Sequence, residues 1–257
     1  MTSSDLRSFL RRILTVARTE IAALTALLVM AGGVLSFIEI ADDMTEADGQ
    51  AFDQHVLALM RPYAGDPGRP WGPWWLKEAA ADITSLGGIS VLGLFALIVI
   101  VFLLSQRKWL SSLLLVLGLA GGVALSEGLK AVFERERPPV AMQAVETINA
   151  SFPSGHALLS TVFYLSVAVM LTRAFPRRRF KAFVLGVGIV MALLVGMTRI
   201  YLGAHWASDV LAGWAVGAAW AMALWLVAYG VARLQRGRHA ALQDHDTLDQ
   251  AEAPTKV

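Results

Sequence analysis

The sequence predicts an all-α, polytopic membrane protein with six transmembrane helices, and three observations support this class. Of its 257 residues, 56% are hydrophobic and only 16% are charged, whereas soluble domains carry about 25% charged residues. The apolar residues are concentrated in runs close to the ~20 residues that a helix needs to cross a bilayer. The basic residues are concentrated in alternate connecting segments. The simplest interpretation is one compact membrane domain.

The predicted spans follow one another along most of the chain. They cover residues 20–41, 84–105, 109–133, 156–175, 181–199 and 208–234. A basic amphipathic segment, 1–19, precedes them and is expected to lie along the inner membrane surface. A cleaved signal peptide is the alternative, disfavoured because the apolar run is long and no small-residue cleavage site follows it. The membrane domain is thus predicted at 20–235, followed by a polar tail at 236–257 expected to be disordered.

The distribution of basic residues predicts the orientation. Of the 22 Lys and Arg residues, 15 lie in the N-terminal segment, the second and fourth connections and the tail, counted together with the span ends beside them. Because cytoplasmic loops carry the excess of basic residues, both termini are predicted to be cytoplasmic. In a bacterial cell this places the protein in the inner membrane, with its odd-numbered connections facing the periplasm or the exterior.

The first outer connection, 42–82, combines acidic residues with aromatic ones. Three tryptophans, Trp71, Trp74 and Trp75, are typical of an interfacial belt. An apolar stripe at Phe52, Val56, Leu59 and Met60 predicts an amphipathic helix. That helix either lies on the bilayer beside a site or only packs against the rest of the protein.

Composition excludes several classes of chemistry. The chain has no cysteine, which rules out disulfides, thiolate metal sites and cysteine nucleophiles. It has only five histidines, so a multi-histidine metal cage is not expected, and neither is another cofactor. The net charge of +2 gives no indication of nucleic-acid binding. The expected partner is the lipid bilayer itself.

Two cations lie where the chain leaves the third predicted span. Lys130 and Arg137 are seven residues apart, which would place them on one face of a helix two turns apart. A pair of cations held there could bind a dianion, with Arg137 as a bidentate fork. The alternative is an interfacial cluster that pairs with neighbouring glutamates, and Arg135 is assigned to that role.

A polar motif precedes the fourth predicted span. Ser154 is a good N-cap, and Gly155 allows a ligand to approach the backbone closely. The amides at a helix start can bind phosphate oxygens, and His156 lies one residue further on. An ordinary capped helix would have a similar sequence.

The third cluster spans the turn between the last two predicted helices. His205 and Asp209 have the spacing of neighbours on one helical face. A carboxylate that accepts from one ring nitrogen fixes the tautomer and leaves the other nitrogen nucleophilic. Arg199 supplies a third cation. The alternative, a purely structural pair, is disfavoured because an ionisable group within a membrane is costly, at about 2.5–3.5 kcal/mol.

Taken together, these motifs resemble the three-part pattern of the type 2 phosphatidic acid phosphatase superfamily, which includes bacterial membrane lipid phosphatases. The pattern is Lys-x6-Arg-Pro, Pro-Ser-Gly-His and Ser-Arg-x5-His-x3-Asp. The one departure is Thr198, which stands where serine is usual and keeps the hydroxyl group. The matching residues are Lys130, Arg137, Pro138, Pro153, Ser154, Gly155, His156, Arg199, His205 and Asp209.

The resemblance implies a phosphatase that needs no metal and passes through a phosphohistidine. His205, aligned by Asp209, would be the nucleophile, and His156 would act as acid and then as base. The phosphate would be held by Lys130, Arg137, Ser154, Gly155 and Arg199. Phosphatidylglycerol phosphate, phosphatidic acid and undecaprenyl pyrophosphate are the expected substrates, with lipid A phosphate behind them. The alternatives are a lipid phosphotransferase, a vanadate-dependent haloperoxidase, and a non-catalytic anion binder or transporter. The six predicted membrane spans argue against the haloperoxidase.

Overall fold

A computed structural model describes residues 3–147 and 149–252, and the side chains of 20–147 and 149–235. Over that range the chain forms helices and no β-strand, which confirms the all-α class. The described part contains one 3₁₀ turn, Val140–Met142, and eight α-helices. These are α1 (Ser3–Asp43), α2 (Ala47–Met60), α3 (Trp74–Ser85), α4 (Ile89–Ser105), α5 (Trp109–Phe133), α6 (Gly155–Ala174), α7 (Arg178–Tyr201) and α8 (Ala207–Glu252).

Five stretches of these helices are long and apolar enough to cross a membrane. They are Glu20–Asp43, Trp109–Phe133, Gly155–Ala174, Arg178–Tyr201 and Ala207–Gln235. A sixth crossing is formed if α3 and α4, which meet at an angle of 46°, count as one span. The described helices therefore supply five to six spans; the exact number six and the cytoplasmic termini stay predictions.

The second predicted span, 84–105, is not one continuous helix. The helix breaks between Ser85 and Ile89, where Gly87 and Gly88 favour interruption because glycine is a poor helix former. A Cβ atom on Gly87 would collide with the side chain of Val195 on α7 and lie 3.3 Å from the His156 carbonyl oxygen on α6. The break thus allows the backbone to approach α6 and α7 closely.

Helix α6 carries much of the apolar core. Leu158 and Val162 are fully buried, and they pack with Leu115 of α5 and Leu92 of α4. Because lipid chains are as apolar as these side chains, close van der Waals packing between the helices stabilises this core, and transfer out of water does not. The first turn of α6, which carries the Pro-Ser-Gly-His motif, is therefore fixed by the core beneath it.

The predicted amphipathic helix in the first outer connection is present as α2. Val56 packs against the apolar cluster around Ala157 and Val210, and Leu57 is buried, whereas Phe52 is 48% and Leu59 is 59% exposed. One side of α2 thus packs on the protein. Contact of the other side with the bilayer, like the interfacial role of the exposed tryptophans, stays a prediction.

The chain divides into two compact units. The larger, Leu28–Met222, contains α2 to α7 and all the predicted site residues. The smaller comprises the described parts of Met1–Leu27 and Ala223–Val257, in which Glu20 accepts a hydrogen bond from Arg233 at 2.9 Å. The predicted tail 236–257 continues α8 to Glu252, and its last five residues lie outside the described range. The division at residues 20 and 235 stays a prediction.

Candidate active site

Helix ends from four elements meet around a cavity of about 270 Å³. The cavity is bordered by the start of α6, the end of α5, the end of α7 and the turn that leads into α8. Six of the eight predicted site residues line it: Lys130, Arg137, Gly155, His156, Arg199 and His205. The other two, Ser154 and Asp209, are fully buried behind this wall. The three motifs therefore converge as the sequence predicted.

The start of α6 has the expected capping geometry. Ser154 is the N-cap, and its Oγ accepts a hydrogen bond from the Ala157 amide at 3.5 Å. A Cβ atom on Gly155 would lie 3.0 Å from Ser126 Oγ and 3.7 Å from Lys130 Nζ, so glycine keeps this side of the cavity open. Backbone amides and the positive helix end are thereby exposed to an anion.

An aromatic cluster anchors the segment just before α6. Phe152 is fully buried, stacks on Phe37 with a centroid distance of 5.6 Å, and meets Phe133 edge-on at 5.0 Å. Such pairs are worth about 0.5–1.5 kcal/mol beyond burial. Because Phe152 lies between Ser151 and Pro153, the cluster fixes the segment that leads into the motif.

Lys130 and Arg137 do not share a helical face, contrary to the prediction. Helix α5 ends at Phe133, and Glu134 adopts a left-handed conformation with φ 42° and ψ 30°. Arg137 therefore lies in the irregular segment beyond the helix, which turns back so that both cations line the same cavity. The inferred helical geometry was wrong. The Nζ of Lys130 donates to Glu127 Oε1 at 2.9 Å, so a neighbouring glutamate does pair with this cation.

Arg137 connects the cavity to the turn that carries His205. Its Nη1 donates to the Ala204 carbonyl oxygen at 2.6 Å and lies 3.3 Å from His205 Nε2. Its Nε donates to the Asn149 carbonyl oxygen at 2.9 Å. Burial lowers the pKa of Arg137 below its usual value. A guanidinium nonetheless stays charged at neutral pH, so Arg137 presents a fixed cation.

His205 and Asp209 form a pair, although not on a helix as predicted. His205 lies in the turn before α8, and its Nδ1 is 3.4 Å from Asp209 Oδ2. Asp209 is the third residue of α8, and the same Oδ2 accepts from the Trp206 amide at 2.9 Å, as acidic residues commonly do at helix starts. Burial lowers the pKa of His205 from 6.5 to about 4. The imidazole is therefore neutral at physiological pH.

Two polar atoms of cavity-lining residues have no hydrogen-bond partner among the described residues. They are Arg199 Nε and Ser126 Oγ, and both residues are buried. A buried polar atom left without a partner costs about 1–3 kcal/mol, so these two atoms are destabilising as they stand in the cavity wall. Arg199 is oriented by Thr84 Oγ1, which accepts from its Nη1 at 3.3 Å. The Thr198 hydroxyl bonds to the Val195 carbonyl oxygen at 2.6 Å, within α7.

Two residues were misjudged from the sequence. Arg135 was assigned to an interfacial cluster with glutamates, but its Nη1 donates to Asp209 Oδ1 at 2.6 Å and its Nη2 donates to Asp53 Oδ2 at 2.6 Å. Asp53 is one of the acidic residues of the first outer connection, for which the sequence predicted no individual role, yet it is 2% exposed. One signal was available: Asp53 shares its helical face with Val56 and Leu57, the packed side of α2.

Metal-ligand groups are not apparent in the part of the chain that the structure describes. Within it, no group of three or more His, Asp or Glu side chains is arranged to hold a metal ion. The described charged side chains that line the cavity are three cations, Lys130, Arg137 and Arg199, and two glutamates, Glu127 and Glu146.

The fold and the cavity define an integral membrane enzyme that acts on a phosphate group. Residues 109–233 match the sequence profile of the PAP2 superfamily. Phosphatidylglycerophosphatase B from Bacillus subtilis is 35% identical over 144 residues, which cover 56% of this chain and 70% of that protein. The chain belongs to the PAP2 superfamily, and its resemblance to that family is confirmed.

Two further comparisons agree with this assignment. An undecaprenyl-diphosphatase from Sulfolobus acidocaldarius is 32% identical over 120 residues, covering 45% of this chain and 54% of that protein. The crystal structure of a transmembrane PAP2-type phosphatidylglycerolphosphate phosphatase from Bacillus subtilis matches with a TM-score of 0.69 and 28% identity. That match covers 76% of this chain and 93% of the other. The protein is thus a multi-pass membrane phosphatase.

Proposed function

We propose that this phosphatase hydrolyses a phosphate ester or a pyrophosphate of a membrane lipid on the extracytoplasmic side, through a phosphohistidine. The observation that carries the proposal is the convergence of two histidines and three cations on one cavity, with Asp209 behind His205. Neither an anion binder nor a transporter needs a neutral imidazole paired with a buried carboxylate. The extracytoplasmic location follows from the distribution of basic residues.

The phosphate is bound by charge that the chain itself supplies. Lys130, Arg137 and Arg199 surround the cavity, and the start of α6 at Ser154 and Gly155 adds backbone amides. Donors held in place before the reaction stabilise the charge of the transition state without having to reorganise. We therefore propose that the reaction needs no metal ion.

His205 is the nucleophile in this proposal. Its neutral Nε2 attacks phosphorus in line with the leaving oxygen, while Nδ1–H donates to Asp209. The N–P bond forms as the P–O bond to the lipid breaks, and His156, protonated as an imidazolium beside the bound phosphate, gives that proton to the departing alkoxide or phosphate. A water molecule then attacks the phosphohistidine and transfers a proton to His156. Inorganic phosphate leaves, and both imidazoles return to their starting states.

The apolar residues on one side of the cavity support the proposal that the substrate is a lipid. Ile89 at the start of α4 and Val123 on α5 line the cavity and are 71% and 37% exposed. In a bilayer such residues face hydrocarbon, so a lipid can place its headgroup in the cavity while its chains stay outside.

Relatives narrow the range of substrates that we propose. The Bacillus subtilis relative is named for phosphatidylglycerol phosphate and the Sulfolobus acidocaldarius relative for undecaprenyl diphosphate. We propose these two chemistries, a glycerophospholipid phosphate and an isoprenoid pyrophosphate, as the principal candidates, with phosphatidic acid beside them.

The test is phosphate release by the purified protein from a panel of these lipids in detergent, with and without a chelator. We expect release from at least one lipid, unchanged by chelator, and none from a His205→Ala variant. Transfer of the phosphoryl group to an added alcohol in preference to water would identify a phosphotransferase instead. Binding without turnover of any lipid would show a non-catalytic anion binder.

A further inference from the structure

Asp53, Arg135 and Ser208 form a buried polar network behind Asp209. Arg135 Nη2 donates to Asp53 Oδ2 at 2.6 Å, and Arg135 Nη1 donates to Asp209 Oδ1 at 2.6 Å and to Ser208 Oγ at 2.7 Å. Asp53 and Asp209 are 2% and 0% exposed. One guanidinium therefore joins two buried carboxylates, using the planar fork that makes arginine suited to such pairs.

The network ties three separate elements together. Asp53 lies on α2, Arg135 follows α5, and Ser208 is the second residue of α8. Asp53 Oδ1 accepts from the Ser208 amide at 2.9 Å, and Asp53 Oδ2 accepts from the Ser208 hydroxyl at 2.5 Å. Helix α2 thus supplies the acceptor for an otherwise free amide at the start of α8, where a negative charge is favoured.

The network also determines how Asp209 faces His205. Arg135 holds Oδ1, whereas Oδ2 accepts from the Ser151 hydroxyl and from the Trp206 amide at 2.9 Å. With both oxygens held, the carboxylate cannot rotate, and Oδ2 stays directed at His205 Nδ1, 3.4 Å away. Removal of Arg135 would leave Oδ1 buried without a partner and free the carboxylate to turn.

We propose that Arg135 and Asp53 are positioning residues of the reaction, which hold Asp209 directed at the nucleophile His205. They act through Asp209, because neither appears among the described residues that line the cavity of His205. This inference rests on the proposed function in one respect, the assignment of His205 as nucleophile.

Substitution of Arg135 gives the first test. Because Arg135 does not line the cavity of His205, Arg135→Gln should lower the rate of phosphoenzyme formation and leave KM nearly unchanged. The expected loss in kcat is about 10–100-fold, the range found when outer partners of functional ligands are removed. The loss should be equal for a lipid phosphate and an activated aryl phosphate, because alignment of the nucleophile matters for every leaving group. Arg135→Lys, which keeps the charge but not the fork, should lose less activity.

Substitution of Asp53 tests the outer end of the network. Asp53→Asn should lower kcat, and its effect should largely vanish in an Arg135→Gln background, because coupled residues are not additive. Asp48→Asn is the matched control: it makes the same change on the same helix at an exposed position and should leave kcat unchanged. Equal effects of Asp53→Asn and Asp48→Asn would overturn the proposal.

Chemical rescue separates positioning from mere folding. A second cavity, of about 430 Å³, is lined by Asp53, Arg135 and Trp206, and it gives a small cation access to the network. Added guanidinium should restore part of the kcat of Arg135→Ala, and should do nothing for His205→Ala. A folded Arg135→Ala protein with full activity, or one that guanidinium cannot rescue, would overturn the proposal. A wild-type protein that releases no phosphate from any substrate would overturn the proposed function instead.

Discussion

His205 combines two properties that a histidine nucleophile needs. It is 2% exposed, and burial lowers its pKa to about 4, so the ring is neutral at the pH of the cell. The neighbouring Asp209 favours the tautomer with the proton on Nδ1, which leaves the lone pair on Nε2. The Nη1 of Arg137 lies 3.3 Å from that nitrogen, so a cation lies directly beside the proposed nucleophilic atom.

Burial of a neutral imidazole has a predictable effect on stability. The pKa of His205 is about 4 in the folded protein against 6.5 as the ordinary value, so the unfolded chain binds more protons between these limits. The free energy of unfolding therefore falls as the pH is lowered from about 6.5 to about 4, by about 3 kcal/mol for this residue. We expect Tm in detergent to fall more between pH 7.5 and pH 4.5 for the wild type than for His205→Asn. Parallel pH profiles would show that the ring is not buried as described.

The rate of the first step is expected to depend on His156 more strongly for a poor leaving group than for a good one. General acid catalysis contributes about 10²–10⁴-fold, most of all for a lipid alkoxide, whereas a nitrophenolate leaves unaided. His156→Ala should therefore damage hydrolysis of a lipid phosphate severely and largely preserve the first step with nitrophenyl phosphate. Its second step should stay slow, because the group that activates water is missing. The measurement is a nitrophenol burst near one equivalent per enzyme, with an acid-labile phosphoenzyme.

The comparison of the two substrates decides the role of His156. Equal losses of the first step, with no burst, would mean that His156 binds phosphate in the ground state or is structural. Arg135→Gln is the informative comparison variant, because it is expected to affect both substrates alike.

At the scale of elements, the site is an assembly of helix ends, and the sequence predicts these unevenly. The N-cap at Ser154 was predictable because capping depends on residues within one turn. The end of the third span at residue 133 was also predicted, but the left-handed turn at Glu134 was not, since neither glycine nor proline marks it, and Arg137 was therefore placed on the helix. The bond between Asp53 and Ser208 joins residues 155 positions apart, and such pairing leaves no trace in a local pattern.

The break between α3 and α4 is an element with its own test. Gly87 lies against Val195, with which a Cβ atom would collide, so Gly87→Ala should destabilise the protein by about 1–3 kcal/mol as overpacking does. Activity should fall as well, because Gly87 lines the cavity. Removal of the opposing methyl groups, in Gly87→Ala with Val195→Ala, should restore part of Tm and kcat. Gly93→Ala on α4 is the control, because a Cβ atom there meets nothing within 4 Å. If Gly87→Ala left both Tm and kcat unchanged, the α3–α4 break could move away from α7 without loss, and close contact there would not be required.

At the scale of the whole molecule, hydropathy predicts where the spans lie, whereas the distribution of basic residues predicts their orientation. Hydropathy predicted five of the spans close to their observed limits, because the length of an apolar run is a local property. It did not reveal the 46° bend of the remaining pair, which depends on contacts with α6 and α7. Orientation comes only from the basic residues and stays a prediction.

The cysteine-free chain offers a direct test of that orientation. Val140, in the segment between α5 and α6, is 83% exposed, and Arg178 lies at the exposed start of α7. An impermeant thiol reagent applied to intact cells should label Val140→Cys and spare Arg178→Cys, since the positive-inside rule places them on opposite sides. Labelling of both after the cells are permeabilised is the control. The reverse pattern in intact cells would move the active site to the cytoplasmic face.

The size of the catalytic cavity has a consequence for how the rate depends on substrate. At about 270 Å³ it has room for a headgroup, and the exposed Ile89 and Val123 at its side lead to the membrane, so we expect the chains of a lipid to stay in the bilayer or micelle. The enzyme then meets its substrate by lateral diffusion, and the relevant concentration is two-dimensional. At a fixed bulk amount of lipid phosphate, dilution of the mixed micelle with inert detergent should lower the rate in step with surface mole fraction. Below saturation, velocity is thus set by the composition of the membrane.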